Sequence, residues 1–167
     1  MASMRVALCL LGEPRTFTMP HVAASIEQNL VGALRTQAQL VDVFALLHMT
    51  LSNDHEQDAV RAALAPLSPR LVRLESSFSP DANILPSTGR KCQLPYFMNW
   101  PQCRNASLAA VYSACYLEVT AAERADGQQY KHVVVARPDA YWHAPHPGTV
   151  QRSIREHIGS ALSSSGS

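Results

Sequence analysis

Val133-Val134-Val135-Ala136-Arg137-Pro138-Asp139-Ala140-Tyr141-Trp142 is the stretch that decides the fold. Its first four residues are apolar and mostly β-branched, the composition of a buried strand. Pro138 has no N–H to give to a sheet ladder, so the strand is expected to end just before it. A cation, Arg137, and a carboxylate, Asp139, then stand at the carboxyl end of a buried strand. In open α/β sheets ligands bind at that edge. The same two residues also read as an ion pair that caps a strand and holds a loop. Spacing alone leaves both readings open.

Upstream of this strand, which is expected over Tyr130 to Ala136, Pro101 opens a long helix that ends near Asp126-Gly127. Leu108, Val111, Tyr112, Cys115, Val119 and Ala122 recur at helical spacing and read as a core stripe, not a cofactor box. Gly127 suits the helix stop. Nearer the start, Arg5 to Leu11 reads as a first strand, followed by the turn Gly12-Glu13-Pro14-Arg15-Thr16. Val22, Ile26 and Leu30 predict a helix from about Pro20 to Arg35, with Pro20 in its first turn. Val41 to Leu47 is a second strand, apolar on both faces except at Asp42, as in a parallel sheet covered by helices. Ser52-Asn53-Asp54 offers caps for a helix running to Pro66. Arg70 to Leu74 is a short third strand.

The pattern breaks from Ser76 to Asn99, where Pro80, Pro86, Gly89 and Pro95 interrupt any regular element. A long loop in a compact domain is usually functional or mobile, and this one carries Arg90, Lys91, Tyr96 and Phe97, followed by Trp100. Beyond Trp142 come a loop, a short helix near Thr149 to Ile158 and a Ser/Gly tail. The expected order is β-α-β-α-β-loop-α-β. That alternation predicts an α/β, Rossmann-like, mainly parallel sheet flanked by helices. Residues 4–158 are expected to form one domain and 159–167 a disordered tail.

The totals narrow the function classes. Of 167 residues, 47% are hydrophobic and 16% charged, a globular composition. The net charge of +1, from 14 basic and 13 acidic residues, implies no broad basic surface, so nucleic acid is not an expected partner. No apolar run reaches transmembrane length. Met4 to Leu11 is too short for a secretory signal and lacks a small-residue cleavage site, so it reads as a strand. Of the four cysteines, Cys9 and Cys115 fall on predicted core faces and read as buried thiols. Cys92 and Cys103 flank the long loop, where a disulfide is a minority expectation.

Candidate chemistry gathers at strand ends. The turn Gly12-Glu13-Pro14-Arg15 lies between a strand and a helix, where mononucleotide folds place phosphate contacts. Arg15 offers a planar fork suited to a diphosphate. Neither Gly-x-Gly-x-x-Gly nor a phosphate-binding loop with its Lys is present, and an ordinary surface turn is the competing reading. Asp139 could help hold a divalent cation that bridges two phosphates, since Mg²⁺ needs only one or two protein carboxylates when phosphates complete its shell. If the fourth strand returns beside the first, the two motifs converge. His48, at the end of strand two, falls on the same edge. His143 and His146 have His-x-x-His spacing but lack a third ligand. Asn105-Ala106-Ser107 is a formal glycosylation acceptor on a predicted helix and is discounted. No Gly-x-Ser-x-Gly elbow occurs, and no cysteine has a clear His partner.

Four features together resemble the nucleotide-diphospho-sugar transferases of the GT-A type. They are Gly12-Glu13-Pro14-Arg15-Thr16-Phe17 after strand one, Asp42-Val43-Phe44 in strand two, Gln102 near the start of a long helix, and the Arg137-Pro138-Asp139 segment. The resemblance spans roughly residues 5 to 142. It implies that Gly12 and Arg15 line the donor nucleotide. It also implies that Arg137-Pro138-Asp139 replaces the usual Asp-x-Asp motif, with Asp139 as the residue for Mn²⁺ or Mg²⁺ and the diphosphate. Arg137 then stands where a metal-binding acid is usual, a charge that repels a cation but neutralises phosphate. The implied function is to bind a nucleotide-sugar donor and, if active, to transfer the sugar to an acceptor hydroxyl. Such enzymes continue well past this motif, whereas 25 residues follow Trp142. The chain is therefore expected to be C-terminally truncated or a donor-binding half, and no catalytic residue is assigned. Golgi association is implied only through eukaryotic relatives of this type. The alternatives are a non-catalytic binding domain of the same ancestry and an unrelated mononucleotide- or flavin-binding α/β module.

Overall fold

The computed structural model of the chain describes residues 4–49, 54–76 and 101–145, with only the backbone for 101–110. Residues 77–99 of the expected loop, the Cys92–Cys103 pairing, His146, the helix from Thr149 to Ile158 and the tail lie outside the described residues or involve side chains that do.

Four strands form one parallel sheet. They are β1 (Arg5–Gly12), β2 (Leu40–His48), β3 (Leu71–Glu75) and β4 (His132–Ala136), in the order β3-β2-β1-β4. The register sets Val6 against Val41 and His132, and Gly12 against Leu47. Three helical segments follow β1 without a break: α1 (Pro20–Ser25), a π-helical stretch Ile26–Gly32, and α2 (Ala33–Arg35). Helix α3 (Asp54–Leu64) runs into a 3₁₀ turn, Ala65–Leu67, where Pro66 ends the α-helical pattern. Helix α4 (Pro101–Asp126) leads to β4 through Gly127, which takes the left-handed conformation at φ +64°. None of the helices among the described residues is long and apolar enough to cross a membrane.

Strand alternation builds two apolar layers. Val6, Leu8 and Leu10 of β1 point to one face, with Val43, Ala45 and Leu47 of β2 and Val134 of β4. Ile26 and Leu30, with Val60 and Leu64 of α3, cover them. Ala7, Cys9 and Leu11 point to the other face, where Val111, Cys115, Val119 and Ala122 of α4 pack with Phe44 and Leu46. Both layers are apolar and buried, as expected for parallel strands under helices.

Two core expectations are corrected. Tyr112 was expected in the buried stripe of α4, but its side chain is 38% exposed because Val111 and Cys115 already fill the face toward the sheet. Cys9 and Cys115 are buried as expected, yet they are joined as a disulfide rather than left as thiols. Their Cα atoms lie 6.5 Å apart, within the span a disulfide bridges, because β1 and α4 meet at that point.

The amino-terminal edge of the sheet is closed by charge. Asp42 Oδ2 accepts from Arg5 Nη2 at 3.0 Å, from Arg70 Nη1 at 3.2 Å and from the Tyr130 hydroxyl. Arg70 also forms a two-pronged pair with Asp126 at 2.7 and 2.9 Å, and Arg5 bonds the same carboxylate. The Arg5 guanidinium lies 4.7 Å from the centre of the Tyr130 ring. This network ties β1, β2, the entry to β3 and the end of α4 together. Asp42 is thereby a structural residue at the pole opposite the candidate site.

Candidate functional site

The order β3-β2-β1-β4 contains one reversal. From β1 the chain goes to β2 and β3 on one side, then returns through α4 to β4 on the other. The gap above the carboxyl ends of β1 and β4 is therefore a topological switch point, where open α/β sheets bind ligands. The Gly12 turn and the Arg137-Pro138-Asp139 turn both open there, so the two sequence motifs are neighbours in space.

Each turn has a local cause. Gly12 has φ +125°, a backbone state that a side chain would strain. The Phe17 N–H donates to the Pro14 carbonyl, and the Phe17 ring is fully buried, so the turn is pinned from below. Arg15, at the tip, has a positive φ of 24°, an uncommon state for a residue other than glycine. Opposite it, Pro138 ends β4 and Asp139 folds back beneath Arg137. The Thr16 hydroxyl donates to the Asp139 carbonyl at 3.4 Å, linking the two turns directly.

The charged groups interlock. Asp139 accepts from Arg137 Nε at 2.9 Å and from Arg137 Nη2 at 2.8 Å, one bond to each carboxylate oxygen. Arg15 Nη1 stands 4.0 Å from Asp139 Oδ2, and Arg15 Nε donates to Glu13 Oε2 at 3.0 Å. Glu13 Oε1 lies 3.9 Å from His48 Nδ1 at the end of β2. The hydrogen bonds from Arg137, with Arg15 as a further cation, hold the Asp139 carboxyl below its ordinary range, against the opposing effect of burial. Exposure separates the roles. Asp139 is 12% exposed, whereas Arg15 is 57% and Arg137 65% exposed. A partly buried carboxylate thus holds the Arg137 guanidinium toward solvent, while that of Arg15 is held by Glu13.

The charges at this edge balance, Arg15 standing against Glu13 and Arg137 against Asp139. Guanidinium groups such as those of Arg15 and Arg137 suit a planar or tetrahedral anion, and in the structure Arg137 is bonded to Asp139 and Arg15 to Glu13. A cation held by protein groups alone does not fit the arrangement. Both Asp139 oxygens already carry Arg137 donors, and Glu13 is paired with Arg15. No three His, Cys, Asp or Glu side chains among the described residues converge as metal ligands.

Beyond Asp139 the chain is strapped onto the first helical run. The Trp142 N–H donates to Ser25 Oγ at 3.2 Å, and Asn29 Nδ2 donates to the Trp142 carbonyl at 2.6 Å. Asn29 lies in the π-helical stretch, where Gly32 lets the Glu27 carbonyl approach: a Cβ at 32 would meet that oxygen at 3.2 Å. Sequence reasoning had assigned no role to Glu13, Thr16, Ser25 or Asn29. An acid two residues before Arg15 was a readable hint for Glu13. The other three act through long-range contacts that leave no local signal.

The chain matches no protein-family model, no curated protein and no solved structure.

Proposed function

We propose that this chain binds a nucleotide-diphosphate sugar at the β1–β4 switch point, as a glycosyltransferase-like domain. The observation that carries the reading is the convergence of Arg15, Arg137 and Asp139 at the switch point, the edge at which open α/β sheets bind ligands. Arg15 and Arg137 would turn from their carboxylates to the two phosphates, and Gly12 would let the backbone approach them. Asp139 is then left for a Mn²⁺ or Mg²⁺ ion that arrives with the diphosphate and adds charge neutralisation. If the whole protein transfers the sugar, neutralising charge on the leaving diphosphate is what this site contributes. The acceptor hydroxyl and any catalytic residue are not assigned.

Melting the purified chain with UDP, GDP and their sugar conjugates, with and without Mn²⁺, tests this. A ligand at 100 times its dissociation constant adds about 2.7 kcal/mol to stability. Stabilisation by a sugar nucleotide that Arg15→Ala weakens is the expected result, and Asp139→Ala should abolish any Mn²⁺ effect. Unchanged binding in both variants would remove the site. A yellow chromophore on purification, or preference for mononucleotides over sugar nucleotides, would favour an unrelated nucleotide or flavin module.

A further inference from the structure

Next to the guanidinium pair stands a group of aromatic rings that the diphosphate reading does not use. Tyr141, two residues beyond Asp139, is 49% exposed. The His21 ring of α1 lies 6.0 Å away at 53°, and the His143 ring lies 4.6 Å away at 73°. Both neighbours are steeply inclined to Tyr141, so neither is stacked face to face on it. Met19, on the turn that leads into α1, is also exposed.

The backbone under this shelf is fixed. The Asp139 carbonyl is held by Thr16, and both backbone groups of Trp142 are held by Ser25 and Asn29. Tyr141 is pinned between these two anchors. A half-exposed aromatic side chain on an anchored backbone gains stacking energy at little ordering cost. Two residues of chain span at most about 7 Å, so the shelf sits close beside the cationic turn.

We propose that Tyr141, flanked by His21 and His143, is the stacking platform for the base of the nucleotide whose diphosphate Arg15 and Arg137 hold. The proposal rests on the diphosphate reading and adds to it the residue that reads the rest of the ligand. Stacking uses the π face that every base has, so it favours nucleoside diphosphates over inorganic pyrophosphate without selecting one base.

Calorimetric titration of the full chain with pyrophosphate, UDP and GDP tests it, using wild type, Tyr141→Ala and Tyr141→Phe. Wild type is expected to bind both nucleoside diphosphates at least about tenfold more tightly than pyrophosphate. Tyr141→Ala should lose that advantage while keeping its affinity for pyrophosphate, and Tyr141→Phe should retain both. Equal binding of pyrophosphate and nucleotide by wild type would overturn the platform and leave the diphosphate site standing. So would nucleotide affinity unchanged in Tyr141→Ala. If wild type binds neither pyrophosphate nor nucleotide, the diphosphate reading fails and the platform with it.

Discussion

Arg15 and Asp139 face each other across the gap between β1 and β4, with Nη1 and Oδ2 4.0 Å apart. Arg15 comes from the turn after the first strand and Asp139 from the turn after the last described one. Their meeting depends on β4 pairing with β1, and on nothing local to either residue.

Because Arg15 and Arg137 are mostly solvated, their ion pairs should add little to stability. Arg15→Ala and Arg137→Ala are each expected to cost no more than about 1 kcal/mol in urea unfolding. A larger loss would mean that the guanidinium groups serve the fold and not a ligand.

The Cys9–Cys115 bridge should be directly visible. Proteolysis without reductant is expected to release the two cysteine-bearing peptides joined, and reductant should separate them. The bridge closes a long loop, so replacing both cysteines by alanine should cost about 2–4 kcal/mol. Recovery of Cys9 and Cys115 as unlinked, alkylated peptides from oxidised protein would refute it.

Acid should weaken the amino-terminal pole. Hydrogen bonds from Arg70 and then Arg5 hold the Asp126 carboxyl well below the usual carboxylate range. A depressed folded pKa gives stability that is present above the unfolded value, about 3.9, and is lost as pH falls below it. Asp126→Asn should therefore be less stable than wild type at neutral pH but show a shallower loss below about pH 4. Denaturant melts across that range would expose the difference, and parallel curves would count against the network.

The strap beyond β4 can be followed by fluorescence. In a Trp100→Phe background, Trp142 is the sole tryptophan. Asn29→Ala removes the donor to its carbonyl and should cost about 1 kcal/mol. Its emission is expected to shift to the red as the segment loosens. An unchanged spectrum with unchanged stability would mean that the π-helical stretch holds nothing.

The strands were legible because burial on both faces writes itself into composition: Val133 to Ala136 and Val41 to Leu47 have little else to be. The parallel order followed from the alternation with helices. Adjacency of β4 and β1, on which the candidate site depends, could only be stated as a condition. Long-range pairings left no trace. Asp42 stood out as an acid inside an apolar strand, but nothing near it named Arg5, Arg70 and Tyr130 as its partners. Cys9 and Cys115 lie 106 residues apart, so their joining depends on where α4 crosses β1. Helical spacing puts Tyr112 at the margin of the core face, but the buried face of α4 is centred on Val111, Ala114, Cys115, Val119 and Ala122, which leaves Tyr112 on its rim. The π-helical stretch was equally hidden, since Val22, Ile26 and Leu30 suit either winding.

The two ends of the sheet are built to opposite ends. At one pole Arg5, Asp42, Arg70, Asp126 and Tyr130 satisfy one another; at the other, Arg15 and Arg137 extend into water. Selection can therefore act on them separately. Substitutions at the solvated pole should cost the fold little, while the closed pole keeps the strands and α4 tied together. A lineage carrying this sheet is free to vary the solvated pole by drift while the closed pole is held.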